Sequence, residues 1–324
     1  MRLGVIGAGG YWGEKWVRNL KSLNVLGGIC EIDDSNSQMI TSKYALTPNN
    51  VIINSDVDLF LENRFDGIVI ATPPSTHFEI ARKALSKNHN ILVEKPLVID
   101  PTDGLELESM MIRRGNILMA GHTFVYHPAV RALKEVLNSL GDLQKLNIVR
   151  ANWGKYQDVG ILYDLFPHDL SLVNYLLGSF PKNLSGYVDP QEDFAFLTYV
   201  VNNIKCSSYL SWCSSKKERR IEIVGSRGIT SWNLDDETIS VCYSHEHSDK
   251  NDLFTEKNNL RKISYSKNEA LTEAAEHFLN CIKNKTKPMT NIDHGIQITK
   301  LVQGVQEFAS THSQAHLQFA QADT

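Results

Sequence analysis

Glu94-Lys95-Pro96 and Tyr163-Asp164-Leu165-Phe166-Pro167-His168-Asp169 hold the side chains of this sequence best suited to move a proton. Lys95 follows the apolar run Asn90-Ile91-Leu92-Val93 almost at once, so it stands where a buried strand gives way to a loop. An ammonium there can donate to a substrate hydroxyl and favour the alkoxide as hydride leaves. The competing reading is a surface lysine at an ordinary strand exit. Pro167 suits the first turn of a helix, which would put His168 just inside that helix and Asp164 just before it. The i, i+4 spacing is then not helical stacking, yet it sets a carboxylate near an imidazole that titrates near neutral pH. An N-capping Asp beside a structural histidine is the other reading.

A hydride needs an acceptor, and the start of the chain offers a place for one. The strand-like Leu3-Gly4-Val5-Ile6 runs into Gly7-Ala8-Gly9-Gly10-Tyr11-Trp12-Gly13, and helical spacing follows at Trp16, Val17 and Leu20. Glycines between a strand and a helix allow a tight turn, and the helix N-terminus then offers N–H groups and a positive dipole end to a pyrophosphate. Counted from Gly7, the G-x-G-x-x-G pattern requires glycine where Trp12 stands; the third glycine arrives one residue late, at Gly13. The turn is either a G-x-G-x-x-x-G variant or carries an inserted Gly10. A second strand-like run, Val25-Leu26-Gly27-Gly28-Ile29-Cys30, ends at Glu31, where an acidic residue would meet ribose hydroxyls. That carboxylate favours NAD by repelling a 2′-phosphate; NADP stays open because the turn is longer than the pattern.

The elements that must position these groups divide the chain in two. Helical patterns at 35–44, 56–62, 76–87 and 103–113 alternate with apolar strands at 51–53, 67–71, 90–93 and 116–120. Uninterrupted apolar strands between helices are the pattern of a parallel sheet covered on both faces. We therefore expect an α/β Rossmann domain over 1–121. After it come a helix at 128–140 and strands at 143–153, 183–188, 194–201, 204–212, 220–224, 228–232 and 238–243. A helix at 167–177 closes on Gly178, and helices at 269–283 and 295–308 end the pattern. Val201-Asn202-Asn203-Ile204 is a hairpin signal, since Asn tolerates positive φ. Residues 122–324 thus read as an α+β domain for substrate binding and oligomerisation, with a large, mainly antiparallel, open-faced sheet. Such a face suggests a homodimer or homotetramer.

Composition narrows the class. The 324 residues carry 33 basic and 37 acidic side chains, a formal net charge of −4, which argues against a nucleic-acid-coating surface. No run approaches a membrane span and no cationic, apolar leader precedes the first strand, so a cytoplasmic protein is expected. The five cysteines are odd in number and scattered, without a C-x-x-C pair, so neither a disulfide framework nor a metal site is expected. His245-Glu246-His247 could form half of a metal site, but with no cysteine or third histidine nearby it reads as part of a solvated loop, and 244–257 as the stretch most suited to be a mobile loop.

Taken together, Gly7-Ala8-Gly9…Gly13, Ala71-Thr72-Pro73-Pro74 with Ser75-Thr76-His77, Glu94-Lys95-Pro96 and Asp164-x-x-x-His168 resemble the glucose–fructose oxidoreductase / inositol dehydrogenase (Gfo/Idh/MocA) family. The resemblance covers most of the chain. It implies a Rossmann domain followed by an open-faced sheet domain, bound NAD(H) or NADP(H), and redox chemistry at a sugar or cyclitol carbon. It also implies Lys95 and His168 as the catalytic pair with Asp164 in support. Gly7, Gly9, Gly10, Tyr11, Trp12, Gly13, Glu31, Thr72, Pro73, His77, Glu94 and Lys95 would then surround the cofactor.

Gly121-His122-Thr123-Phe124-Val125-Tyr126-His127-Pro128, the Asp164–His168 stretch, and Ser211-Trp212 with Lys216 and Arg219-Arg220 are similar to nucleotide-sugar 3-dehydrogenases that act on UDP-N-acetylglucosaminuronate. The chain departs from them in its longer glycine turn, in Phe166 before the proline, and in a missing proline after Trp212. His122 and Tyr126 are expected near the nicotinamide or sugar, or else as packing residues. Lys216, Arg219 and Arg220 suit a diphosphate or carboxylate, or else form a solvated hairpin turn. The expected function is hydride transfer between nicotinamide and a sugar carbon, the one bearing the C3 hydroxyl of a UDP-linked N-acetylhexosamine or uronate. A free sugar or inositol is the alternative substrate, and a catalytically silent NAD-binding regulatory protein the alternative class.

Overall fold

The computed structural model describes residues 1–154, 159–234, 236–243 and 260–311. They form two compact units: Met1–Thr123 with Glu269–Lys300, and Phe124–Asn268 with the described residues from Leu301 on. The first break lies two residues from the expected boundary at 121/122, but residues 269–300 return to the first unit rather than staying with the second.

In the first unit the order is β1 (Leu3–Ile6), α1 (Tyr11–Ser22), β2 (Leu26–Cys30), α2 (Asp34–Lys43), β3 (Ile52–Asn54), α3 (Val57–Leu61), β4 (Gly67–Ile70), α4 (His77–Ser86), β5 (Asn90–Glu94), α5 (Pro101–Arg114) and β6 (Leu118–Gly121). The strands lie in the order β3-β2-β1-β4-β5-β6 and every pair is parallel. The order reverses between β1 and β4, and ligands of open parallel sheets bind outside the strand ends at such a point. Both faces must be covered, which is why β1, β4 and β6 are buried along their whole length. Local signals start and stop the helices. Asp33, Asp56 and Asp100 accept main-chain N–H bonds at the starts of α2, α3 and α5, and Gly115 ends α5 in the left-handed region.

The second unit contains α6 (Pro128–Leu137), β7 (Leu143–Trp153), α7 (Ile161–Leu177), β8 (Lys182–Val188), β9 (Phe194–Val201), β10 (Ile204–Ser211), β11 (Cys213–Gly225), β12 (Gly228–Asn233), β13 (Thr238–Tyr243) and β14 (Leu260–Ser264). Its eight strands run β14-β13-β12-β11-β7-β10-β9-β8, antiparallel except for β7 beside β10. Alternation is clear on β9, where Ala195, Leu197, Tyr199 and Val201 are buried and Phe196 is exposed. Tyr187, Phe196 and Tyr209 are cross-strand partners on the exposed face. The chain continues into α8 (Ala270–Asn284) and α9 (Ile292–Thr311). Phe278 of α8 is fully buried and abuts Gly67 at the start of β4, and Thr290 donates to the Ala120 carbonyl of β6 at 2.7 Å. These contacts bind the C-terminal segment to the first sheet.

Three expectations change. The helix expected from Pro167 begins at Ile161, because Ile161, Leu162, Leu165 and Phe166 all bury against the unit's core. The strand expected at 220–224 starts at Cys213, and β14 adds an edge strand that the pattern did not announce. His245, Glu246, His247 and the loop expected at 244–257 lie outside the described residues. Among the described residues no helix is long and apolar enough to cross a membrane.

The hairpin between β9 and β10 turns on Asn202 and Asn203, with φ of 49° and 67°. A residue with Cβ but no local hydrogen-bonding side chain pays for left-handed backbone, so Asn203→Ala should lower unfolding free energy by about 1 kcal/mol. Asn203→Gly should leave it nearly unchanged. Urea denaturation of the two variants checks this.

Candidate active site

The cofactor cradle begins at the end of β1. Gly7 has φ of +81°, and a Cβ there would lie 2.8 Å from Thr72 Cγ2. At Gly13 the demand is stricter: a Cβ would lie 1.8 Å from the Gly7 carbonyl oxygen. Gly13 thus performs the close helix-to-strand packing that the pattern assigns to its third glycine, one residue later than expected. Gly10 is the residue before α1, and a Cβ there would meet nothing nearer than 3.5 Å, so its place in the turn makes no steric demand for glycine. No side chain caps α1, which leaves its first-turn N–H groups to an anion. Tyr11 is exposed, and the Lys15 ammonium lies 3.9 Å from the centre of its ring and 4.6 Å from that of Trp12. This cation beside the phosphate end of the cradle gave no signal in the sequence.

Glu31 lies just beyond β2, largely buried. It accepts N–H bonds from Gly9 at 2.7 Å and Asp33 at 3.1 Å. Each oxygen keeps lone pairs for ribose hydroxyls. The cradle and this carboxylate fit the adenosine half of a dinucleotide.

Glu94 and Lys95 are both buried at the C-terminal end of β5. Glu94 Oε1 accepts from the Trp16 indole N–H at 2.7 Å, which ties α1 to β5. Burial raises the Glu94 pKa, while the Trp16 bond and the Lys95 charge oppose that rise. Lys95-Pro96 is a cis peptide. The expected cofactor ligand His77 is instead an internal brace, fully buried, with Nδ1 2.7 Å from the Pro96 carbonyl oxygen and Nε2 2.9 Å from that of Thr72. Both ring nitrogens thus face main-chain carbonyls of the protein, and in that loop Thr72 is half-buried and Pro73 exposed. Burial lowers the His77 pKa against the pull of the two carbonyls.

His122, just after β6, is fully buried and neither ring nitrogen has a hydrogen-bond partner among the described residues. His294 stands edge-on to it, ring centres 5.3 Å apart. Burial pushes His294 down to about 4; burial and then the His294 and Lys95 charges push His122 well below its ordinary value.

In the second unit, Asp164 and His168 both lie on α7, so their i, i+4 spacing is helical after all. The reason is that the burial of 161–166 extends the helix past Pro167, although that residue has no N–H for the Tyr163 carbonyl. Asp164 is buried and His168 half-buried. Tyr126 is fully buried. The basic cluster is not a hairpin turn but part of β11, and strand alternation separates its members. Arg219 sits across from buried Arg150, whereas Arg220 faces the opposite side between Glu218 (2.8 Å) and Glu222 (3.2 Å). Arg219 and Arg220 therefore cannot grip one anion together, and Lys216 is exposed at the irregular start of the strand.

Gly13→Ala should abolish measurable NAD binding by calorimetry, because the backbone oxygen it meets cannot yield; Gly10→Ala should bind within a fewfold of the parent. A second expectation concerns acid. His294 is held neutral in the fold at pH values where the unfolded chain, with the ordinary value of 6.5, takes up a proton. Stability should be complete above about pH 6.5 and fall steadily toward about pH 4. Denaturation midpoints across that window should drop, and His294→Leu should make the slope shallower.

Comparison with known proteins shows the family and the fold. Residues 1–122 match the family model GFO_IDH_MocA, an oxidoreductase family with an NAD-binding Rossmann fold, and residues 115–317 match its C-terminal alpha/beta domain. UDP-N-acetylglucosamine 3-dehydrogenase of Acidithiobacillus ferrooxidans is 28% identical over 209 residues, covering 63% of this chain and 64% of that protein, less than two thirds of its length. A solved structure of the enzyme of that name from the same organism has a TM-score of 0.84 at 23% identity, covering 97% of this chain and 99% of the other. An inositol dehydrogenase homolog from Azotobacter vinelandii, complexed with NADH and myo-inositol, has a TM-score of 0.80 at 14% identity, with 99% and 97% covered. These structural likenesses are likenesses of fold. The two family matches span nearly the whole chain, and the protein belongs to the Gfo/Idh/MocA oxidoreductase family.

Proposed function

We propose that this protein is an NAD-dependent dehydrogenase that oxidises or reduces a secondary hydroxyl carbon of a sugar, the C3 position of a UDP-linked N-acetylhexosamine or its uronate. The observation that carries the reading is Lys95, a lysine buried on the same sheet edge as the glycine cradle. Burial beside Glu94 at that edge sets its charge next to the switch point outside which ligands of open parallel sheets bind. In this reading Lys95 Nζ donates to the substrate oxygen and favours its alkoxide. An imidazole nitrogen of His168 accepts the hydroxyl proton, and Asp164, one helical turn earlier, supports the charged ring. The nicotinamide, when bound, supplies the hydride acceptor. Glu31 favours NAD over NADP, because a 2′-phosphate would meet a carboxylate already fixed by two N–H bonds.

The nucleotide-sugar part of the reading draws its support from the likeness to UDP-N-acetylglucosamine 3-dehydrogenase, not from the β11 cluster. Of that cluster, Arg219 keeps the orientation toward the helix-covered face, and Arg220 belongs with the exposed face. That exposed face, with Tyr187, Phe196 and Tyr209, is our candidate for the surface that joins copies of the chain.

The test is a nicotinamide absorbance assay over UDP-linked N-acetylhexosamines, their uronates, free sugars and inositols. Turnover is expected with the UDP-linked compounds first. Lys95→Met and His168→Asn should each lower it by about 10²–10⁴, with the NAD dissociation constant unchanged. Turnover within about twofold of the parent in either variant would remove that residue from the chemical step.

A further inference from the structure

We propose that Arg150, Asp169 and Phe124 form a positioning assembly that fixes the direction of the His168 ring. The inference rests on the dehydrogenase reading for its consequence, though not for its geometry. Asp169 follows His168 on α7, and its carboxylate is paired with Arg150 Nε on β7, the side chains being 0% and 3% exposed. Consecutive helical residues point about 100° apart. Holding Asp169 against the sheet therefore fixes the rotation of α7 about its axis, and with it the direction in which His168 leaves the helix.

The need for such an anchor is local. Pro167 stands one residue before His168 and removes the N–H that would have bonded the Tyr163 carbonyl, so the helix ladder lacks a rung where the imidazole must be placed. β7 is an interior strand of the sheet, flanked by β11 and β10, and makes a firm base. A second route joins the same residues: the Arg150 guanidinium carbon is 4.5 Å from the centre of the Phe124 ring, and that ring is 5.6 Å from the His168 ring. Phe124 thus touches both the base of the ion pair and the imidazole.

Stability alone is a poor reason for the pair. Two charges withdrawn from water gain little over well-packed apolar side chains of like volume, whereas a planar guanidinium bonded to a carboxylate has a definite direction.

Removing one charge alone would strand the other, so the decisive variant is Arg150→Met with Asp169→Leu. It should fold with a melting temperature near the parent's and bind NAD as before. Its kcat on UDP-N-acetylglucosamine should fall about tenfold to a hundredfold, the cost of a misplaced group, while the KM for NAD stays put. In parallel, the His168 imidazole NMR signal, assigned by its loss in His168→Asn, should broaden or split as the ring samples several directions. A folded double variant with turnover within about twofold of the parent and an unaltered His168 signal would overturn the proposal. If the double variant does not fold, Phe124→Leu decides by the same two readouts. Should the parent turn over no sugar at all, the dehydrogenase reading fails, and the NMR signal still decides whether the assembly orients the ring.

Discussion

The approach of α1 to the end of β1 is the constraint on which the rest of the first unit depends. A single methyl group at Gly13 would stand 1.8 Å from the Gly7 carbonyl oxygen, so the helix can come this near only without one. That approach aims the uncapped N–H groups of α1 at the sheet's switch point. It also carries Trp16 to where its indole N–H meets Glu94 at the end of β5. Glu94 precedes Lys95, the Pro96 carbonyl meets His77, and His77 reaches back to the Thr72 carbonyl after β4. One chain of contacts thus runs from the glycine turn through α1 to Glu94 and Lys95 and on to the loop after β4. Glu94 is buried at a cost in free energy, and its hydrogen bonds explain why the carboxyl is tolerated.

The second unit solves a different problem, which is to present a helix across a sheet. Its sheet is covered on one face, and alternation sorts the residues of each strand between that face and the exposed one. The same rule divides Arg219 from Arg220. Chemistry assigned to neighbouring residues of a strand must always pass this test, since period two sends them apart. On α7 the sorting works the other way and brings Asp164 and His168 to the same side.

Much of the fold was legible in the sequence for physical reasons. Continuous apolar runs mark parallel strands because both faces are buried, and the glycine turn and Glu31 stand out because a tight turn and a ribose contact restrict residue type. The Asn202-Asn203 hairpin was legible because left-handed backbone does. What was not legible depends on partners distant in the chain. Pro167 looks like a helix start, yet the buried Ile161, Leu162, Leu165 and Phe166 start the helix six residues ahead of it. His77 looks like a site residue by its motif, whereas its ring is consumed by two carbonyls that only the fold brings near. Nothing in the pattern of 269–300 announced its return to the first sheet, because helix amphipathicity does not name the surface it will cover. Trp16 stood in the sequence only as a position of helical spacing; the fold buries it, and the polar end of its ring does the joining.

In the proposed function a hydride passes between a sugar carbon and the nicotinamide bound by the first unit. The most direct measurement uses UDP-N-acetylglucosamine carrying deuterium at C3, incubated with NAD and this protein. Direct hydride transfer would carry the deuterium from C3 to the C4 position of the reduced nicotinamide ring. Deuterium that stays on the sugar, or passes to water while the nicotinamide gains ordinary hydrogen, would contradict it.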